Sequence, residues 1–203
     1  MNVLLIDDHP LVNSGIKAIL KETGRFNEVN EALTLTEAKQ FIEANKNNIP
    51  SLIILDIMLG DENGLDFLPF LDKLCKKSGI KKPVVLVCSV LNEPLRIQSA
   101  LDMGANGYLS KSGGETELLQ AIDTVLRGEV YISGANSEKF VQSYGLYSRF
   151  TKRETQILIL IKENKSNVQI AKELGSSLRT IENHISNIYY KTGTNTREEL
   201  KRL

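Results

Sequence analysis

The chain has 203 residues, 41% of them hydrophobic, and its 25 basic and 25 acidic residues cancel to a formal net charge of zero. This composition is typical of a globular protein and excludes a chain too polar to form a core. Because no apolar run could cross a bilayer and the start lacks the basic flank of a signal peptide, we expect a cytoplasmic protein. Cys75 and Cys88 should then be reduced, and His9 and His184 are too few and too far apart for a histidine-rich metal site.

The charge is divided unevenly along the chain. From Thr151 onward ten basic residues stand against six acidic ones, so this part carries +4 and residues 1–150 carry −4. An acidic front and a basic tail indicate a regulatory part joined to a part that binds an anion. A chance partition of charge is the alternative interpretation.

Residues 1–128 alternate five times between a short strand pattern and an amphipathic helix pattern. The strands are expected at 3–6, 26–33, 52–55, 83–89 and 105–109. The run Leu52-Ile53-Ile54-Leu55 is wholly apolar, which is typical of a strand that is covered on both faces. This alternation predicts an α/β domain, with a doubly wound parallel sheet between two layers of helices.

Polar side chains stand at the C-terminal ends of four predicted strands: Asp7 and Asp8, then Asp56, Ser89 and Lys111. In a parallel sheet these ends line one edge, where ligands bind. Clustered carboxylates favour Mg²⁺, a lysine can neutralise a phosphate, and a carboxylate beside a metal ion can attack a phosphoryl group. The set therefore predicts a phosphoaspartate site, although Asp56 alone would also suit a simple helix N-cap. No evident general base accompanies it, which argues against an efficient hydrolase.

These residues resemble, in position and order, the receiver domain of two-component response regulators, and the resemblance covers residues 1–128. It implies a CheY-like (flavodoxin-like) fold with a five-stranded parallel sheet. It also implies that Asp56 accepts a phosphoryl group from a histidine kinase. By the same resemblance, Mg²⁺ would be held by Asp8, Asp56 and the backbone carbonyl of Met58, with Asp7 assisting.

The resemblance further implies that Lys111 pairs with the phosphate, that Ser89 hydrogen-bonds to it, and that Tyr108 turns inward as Ser89 moves. A tyrosine that ends a strand is otherwise an ordinary packing residue. Two positions depart from the family, because Gly60 and Ser112 stand where it often has proline. Neither change removes a reacting group, but the first suggests a more mobile loop after Asp56.

Residues 129–150 lose strong periodicity and are predicted to be a linker, with a short helix at 137–144. Residues 151–203 are helical by pattern. Thr151 and Glu154 have the spacing of a capping box, Asn167 is expected to cap a second helix, and a third helix should run from Leu178 to about Thr192. Two helices joined by a tight turn indicate a helix-turn-helix, and a small helical docking module is the alternative.

This tail resembles the NarL/LuxR-type (FixJ-type) DNA-binding domain, which implies that the third helix enters the major groove of a double-stranded operator. The residues that carry the resemblance include Thr151-Lys152-Arg153-Glu154, Ser166-Asn167-Val168-Gln169-Ile170-Ala171, Thr180-Ile181-Glu182-Asn183-His184, Lys191-Thr192-Gly193 and Arg197. The expected base contacts are Glu182, Asn183 and Ser186, and the expected phosphate contacts are Arg179, His184, Asn187 and Lys191. His184 suits a packing role at the helix edge equally well.

Together these features predict a transcriptional regulator rather than an enzyme: receiver 1–128, linker 129–150 and DNA-binding domain 151–203. Phosphorylation of Asp56 by a histidine kinase would control homodimer formation and DNA binding, with Mg²⁺ as cofactor and no membrane partner. One alternative is a Mg²⁺-dependent phosphatase that works through an aspartyl phosphate. The other is a constitutive DNA-binding protein whose receiver serves only as a docking surface.

Overall fold

The computed structural model describes the backbone of residues 1–203 and every side chain except those of residues 135, 136 and 139. The chain forms two compact units. The first comprises Met1–Asn92 and Met103–Asn136, and the second comprises Glu93–Asp102 and Ser137–Leu203. Among the described residues, no helix combines the length and the apolar character that a membrane span requires.

The strands are β1 (Asn2–Ile6), β2 (Glu28–Ala32), β3 (Leu52–Leu55), β4 (Met58–Leu59), β5 (Glu62–Asn63), β6 (Val84–Ser89), β7 (Gly107–Ser110) and β8 (Tyr131–Ile132). The helices are α1 (Pro10–Glu22), α2 (Leu35–Ala44), α3 (Phe67–Ser78), α4 (Pro94–Asp102), α5 (Glu115–Leu126), α6 (Gly134–Tyr147), α7 (Lys152–Lys162), α8 (Asn167–Glu173), α9 (Leu178–Thr192) and α10 (Arg197–Arg202).

The first unit contains a parallel sheet in the order β2-β1-β3-β6-β7-β8. The five predicted strands are confirmed, and β8 adds a sixth within the segment that was expected to be a linker. Strand β8 pairs with β7 through Tyr131 and Ile132 only. A two-residue strand is too short to give a period-two pattern, which is why the sequence did not reveal it.

The central strands are buried on both faces, as their unbroken apolar runs predict. All four residues of β3 are at most 3% exposed, and Val3 to Ile6 of β1 are at most 1% exposed. Helix α1 begins at Pro10, whose missing N–H costs nothing in a first turn. The Thr34 side chain accepts a hydrogen bond from the backbone N–H of Glu37 and so caps α2.

The turn predicted after Asp56 is a small hairpin in which β4 pairs with β5, followed by a 3₁₀ turn at Gly64–Asp66. Gly64 packs directly against the backbone of Asp56, and a Cβ at this position would overlap the Asp56 carbonyl oxygen. The hairpin therefore requires glycine at position 64, where the chain passes next to Asp56, the first residue after β3.

The second unit is helical. Thr151 and Glu154 form the predicted capping box at the start of α7. The cap of α8 differs from the prediction, because Ser166 rather than Asn167 occupies the cap and forms a second box with Gln169. Ser was the better candidate by chemistry, since its hydroxyl is followed by a glutamine at the third helical position. Helix α6 also extends further than the short segment predicted at 137–144.

Helix α4 belongs to this second unit although it follows β6 in the chain. Leu95 is 1% exposed and joins a core formed by α7, α8, α9 and α10. Arg96 Nη2 lies 2.5 Å from Glu163 Oε1 at the end of α7. The alternation of strand and helix patterns along the chain does not indicate this grouping.

Candidate functional site

Asp7 and Asp56 are brought together by the pairing of β1 with β3. Ile6 is the register partner of Leu55, so the residues that follow them emerge side by side, and the Asp56 N–H donates to the Ile6 carbonyl at 2.8 Å. Both aspartates are at most 5% exposed. Two carboxylates this deeply buried need a cation or hydrogen-bond donors close by.

Lys111 is that cation. It follows β7, and its Nζ lies 2.6 Å from Asp7 Oδ2 and 2.6 Å from Asp56 Oδ2. Burial lowers the pKa of Lys111, but hydrogen bonds to Asp56 and Asp7 and the charge of both carboxylates outweigh it, so the pKa is raised and the ammonium stays charged. Burial also raises the pKa of the neighbouring Cys88 to about 12, which keeps this thiol protonated and unreactive.

Asp8 stands at the more open side of the site, with its side chain about one-third exposed. Its Oδ2 accepts a hydrogen bond from the Gly60 N–H at 2.9 Å, while its Oδ1 is buried without a hydrogen-bond partner. Gly60 has φ +57°, a conformation closed to proline, and proline would also lack the N–H. The departure at Gly60 therefore supplies an anchor for Asp8, where the sequence suggested only a more mobile loop.

His9 completes a group that sequence reasoning missed. One ligand atom from each of Asp7, Asp8, His9 and Asp56 lies within 4.8 Å of the others. His9 Nδ1 is 2.8 Å from Asp8 Oδ1 and 3.0 Å from Asp7 Oδ1. The available signal was the position of His9 directly after two carboxylates, which a count of histidines over the whole chain overlooks.

The donors fit a small divalent cation. Three carboxylates converge. The buried Asp8 Oδ1 has no hydrogen-bond partner, and a bound cation would satisfy it instead. Met58, the predicted carbonyl ligand, follows Asp56 by two residues and donates its N–H to Asp56 Oδ1 at 3.2 Å. Its backbone therefore borders the carboxylate, while its side chain adds no polar group.

Ser89 and Tyr108 share a backbone partner. Ser89 ends β6 with 0% exposure, and its Oγ accepts from the Leu91 N–H at 3.4 Å. Tyr108 is also 0% exposed, and its hydroxyl donates to the Leu91 carbonyl. The Tyr108 ring thus already faces inward in this structure, and its movement together with Ser89 stays a prediction.

The predicted reading surface lies on α9. Arg179, Glu182, Asn183, Ser186 and Asn187 are exposed, and His184 and Lys191 are half-buried. The opposite face, Ile181, Ile185 and Ile188, is buried. Helix α9 thus presents its polar face to solvent while its apolar face anchors it in the core.

Lys191 and Ser186 already have partners within the second unit. Lys191 Nζ lies 2.6 Å from Glu154 Oε2 and 2.9 Å from the Arg149 carbonyl, which leaves one of three ammonium donors for a phosphate. Ser186 Oγ donates to the Glu182 carbonyl at 3.0 Å, so it can meet a base only as an acceptor unless this bond breaks.

Comparison with known proteins gives these sites a context. Residues 3–123 match the family "Response regulator receiver domain", and residues 148–203 match "Bacterial regulatory proteins, luxR family". The chain is 32% identical to the nitrate/nitrite response regulator protein NarL of Escherichia coli (strain K12), over 97% of this chain and 91% of that protein. It is 30% identical to response regulator Rre1 of Synechocystis sp., over 100% of this chain and 94% of that protein.

Among solved structures, RcsB from Salmonella enterica serovar Typhimurium, bound to promoter P1flhDC in the presence of the phosphomimetic BeF3-, superposes with a TM-score of 0.71 at 26% identity. The match covers 98% of this chain and 96% of that one. Sequence and structure therefore agree over nearly the whole length. The chain belongs to the response regulators that join a receiver domain to a LuxR-type DNA-binding domain, and it is a phosphorylation-dependent transcription regulator.

Proposed function

We propose that Asp56 is the phosphoacceptor of this regulator and that Lys111 pairs with the phosphoryl group once it is attached. The single observation that carries this is the position of Lys111 Nζ, 2.6 Å from both Asp56 Oδ2 and Asp7 Oδ2 in a buried site. A carboxylate oxygen of Asp56 attacks phosphorus, the bond from phosphorus to a kinase histidine nitrogen breaks, and the acyl phosphate keeps the phosphoryl oxygens beside the ammonium.

Mg²⁺ fits this chemistry through Asp8, Asp56 and the Met58 carbonyl, with Asp7 assisting. When bound, it supplies positive charge against the phosphoryl oxygens. The residues of the chain prepare the site: the Gly60 N–H orients Asp8, and the sheet fixes Asp56. We expect a modified protein that reacts once at Asp56, rather than a phosphatase that turns over.

Ser89 and Tyr108 are proposed to report the modification. Both contact the backbone of Leu91, so a shift of the Ser89 hydroxyl toward a phosphoryl group would disturb the same residue that holds the tyrosine. Two residues after Leu91 the chain enters the second unit with Glu93 and helix α4. The covalent chain therefore offers a short route from the phosphoacceptor to the unit that carries α9.

For DNA recognition we propose a receiver at 1–128, a linker at 129–150 and a DNA-binding domain at 151–203, with α9 in the major groove of a double-stranded operator. Glu182, Asn183 and Ser186 would face bases. Arg179, His184 and Asn187 would face phosphates, with Lys191 contributing its remaining donor. A phosphorylated homodimer would read two half-sites. A histidine kinase in the cytoplasm would supply the phosphoryl group.

The test is intact mass and light-scattering size of the full chain, with Mg²⁺ and acetyl phosphate. We expect one added phosphoryl group per chain and a shift from monomer to dimer, both lost in Asp56→Asn. The isosteric amide keeps the shape of the site, so a loss there reports the chemistry and not the fold. Continuous release of phosphate from phosphomonoesters would support the phosphatase instead, and operator binding that ignores the phosphoryl donor would support a constitutive DNA-binding protein.

A further inference from the structure

We propose that His9 supplies a nitrogen ligand to this metal site, so that the site favours first-row cations with an affinity for imidazole, such as Co²⁺. This inference rests on the proposed function, since it concerns the same cation site. Imidazole adds little for Mg²⁺, which prefers oxygen, and adds much for the later first-row metals. The inference therefore predicts the selectivity of the site, which the carboxylates alone do not determine.

The carboxylate oxygens divide into two sides. Lys111 Nζ takes Oδ2 of Asp7 and Oδ2 of Asp56. The Oδ1 atoms of Asp7 and Asp8 both lie within 3.0 Å of His9 Nδ1. The lysine thus neutralises one side of the cluster and leaves the side that includes the imidazole for a second cation.

The contact between His9 and Asp8 lacks a hydrogen bond. His9 Nδ1 carries at most one proton, and its hydrogen-bond partner is Asp7 Oδ1 at 3.0 Å. Asp8 Oδ1, only 2.8 Å from the same nitrogen, is buried and has no hydrogen-bond partner. A buried carboxylate oxygen without a hydrogen bond, 2.8 Å from an imidazole nitrogen, is an arrangement that a shared metal ion would satisfy.

His9 can adopt this role without harm to the fold. It is the N-cap residue of α1, yet its side chain makes no capping hydrogen bond. The imidazole is 59% exposed, so its second nitrogen can keep a proton in water while Nδ1 binds metal. Because the backbone alone fixes the helix start here, another N-cap residue such as serine can replace His9.

The test uses the full chain, freed of any histidine tag, and measures Mg²⁺, Mn²⁺ and Co²⁺ affinity by calorimetry. Pulsed electron paramagnetic resonance of bound Mn²⁺ then detects a coordinated ¹⁴N directly. His9→Ser is expected to lose the nitrogen coupling and weaken Co²⁺ binding on the order of tenfold, with Mg²⁺ affinity changed less than about twofold. His184→Gln is the matched control, because His184 is the only other histidine in the chain, and it should change neither.

Absence of nitrogen coupling in the unmodified protein, or its persistence in His9→Ser, overturns the inference. Phosphoryl uptake measured on the same Mg²⁺-loaded samples separates the two levels of the argument. If one phosphoryl group is added and the nitrogen is missing, His9 is not a ligand but the proposed function stands. If neither Mg²⁺ binding nor phosphoryl uptake occurs, the proposed function fails together with the inference.

Discussion

Replacement of Lys111 by methionine tests the electrostatic centre of the site. The side chains of Lys111, Asp7 and Asp56 are 9%, 7% and 2% exposed, so the variant leaves two neighbouring carboxylates buried without their cation. Removal of one partner from a buried ionic group costs about 3–5 kcal/mol. His9 still borders Asp7, so we expect the lower limit, about 3 kcal/mol, which corresponds to a fall of about 10 °C in the melting temperature.

Differential scanning calorimetry of the full chain measures this change. Because the chain forms two units, the transition of the first unit should move while that of the second stays. Mg²⁺ at about a hundred times its Kd stabilises by about 2.7 kcal/mol and should offset most of the loss. Lys76→Met is the control, since that lysine is 76% exposed in an i,i+4 pair with Asp72 and should cost less than about 0.5 kcal/mol. A shift in Lys111→Met no larger than in this control would refute the reasoning.

Three further predictions concern Gly64, Glu154 and the polar face of α9. Gly64→Ala drives a Cβ into the carbonyl of Asp56, so we expect a loss of about 3 kcal/mol in stability and a loss of phosphoryl uptake measured by mass, whereas Gly60→Ala, with open space around it, should cost about 1 kcal/mol of stability. Burial raises the pKa of Glu154, but its ionic and backbone hydrogen bonds outweigh this and lower it. Because these are hydrogen bonds to a charged group, Glu154→Gln should destabilise the second unit at pH 7 by about 2 kcal/mol. That difference should shrink as the pH falls below about 4.5, through the lowered pKa of the folded state, in urea titrations followed by circular dichroism, and a constant difference would contradict it. Arg179→Ala should weaken binding to all DNA sequences alike and reduce the salt slope by about one, whereas Glu182→Ala should alter preference at one base by about 1–3 kcal/mol in operator selection.

The sheet, and the positions of the candidate site residues at its edge, could be predicted because their signals are local. Leu52 to Leu55 is apolar without interruption, and Asp56 follows it directly, so burial and the sheet edge place both. The capping box at Thr151 is likewise a chemical pattern with a fixed spacing. Such features depend on residues that are close together in the sequence, so the sequence alone is enough to predict them.

The remaining features depend on contacts that composition does not encode. Strand β8 has only two residues, and it is defined by its pairing with the edge of β7 rather than by a pattern of its own. The role of Gly60 depends on the hydrogen bond from its N–H to Asp8, which lies 52 residues away in the chain. Helix α4 has an ordinary amphipathic pattern, and that pattern does not say that Leu95 joins the core of the second unit.

The hydrogen bond from Gly60 to Asp8 has a consequence for how this site can change over generations. A donor that belongs to the main chain survives nearly every amino-acid replacement, because only proline lacks it. Substitutions at Gly60 can strain the backbone, since φ is +57°, yet they leave the N–H aimed at the carboxylate. The orientation of Asp8 is therefore protected against most point mutations, whereas the contacts of Lys111 can be lost in a single step.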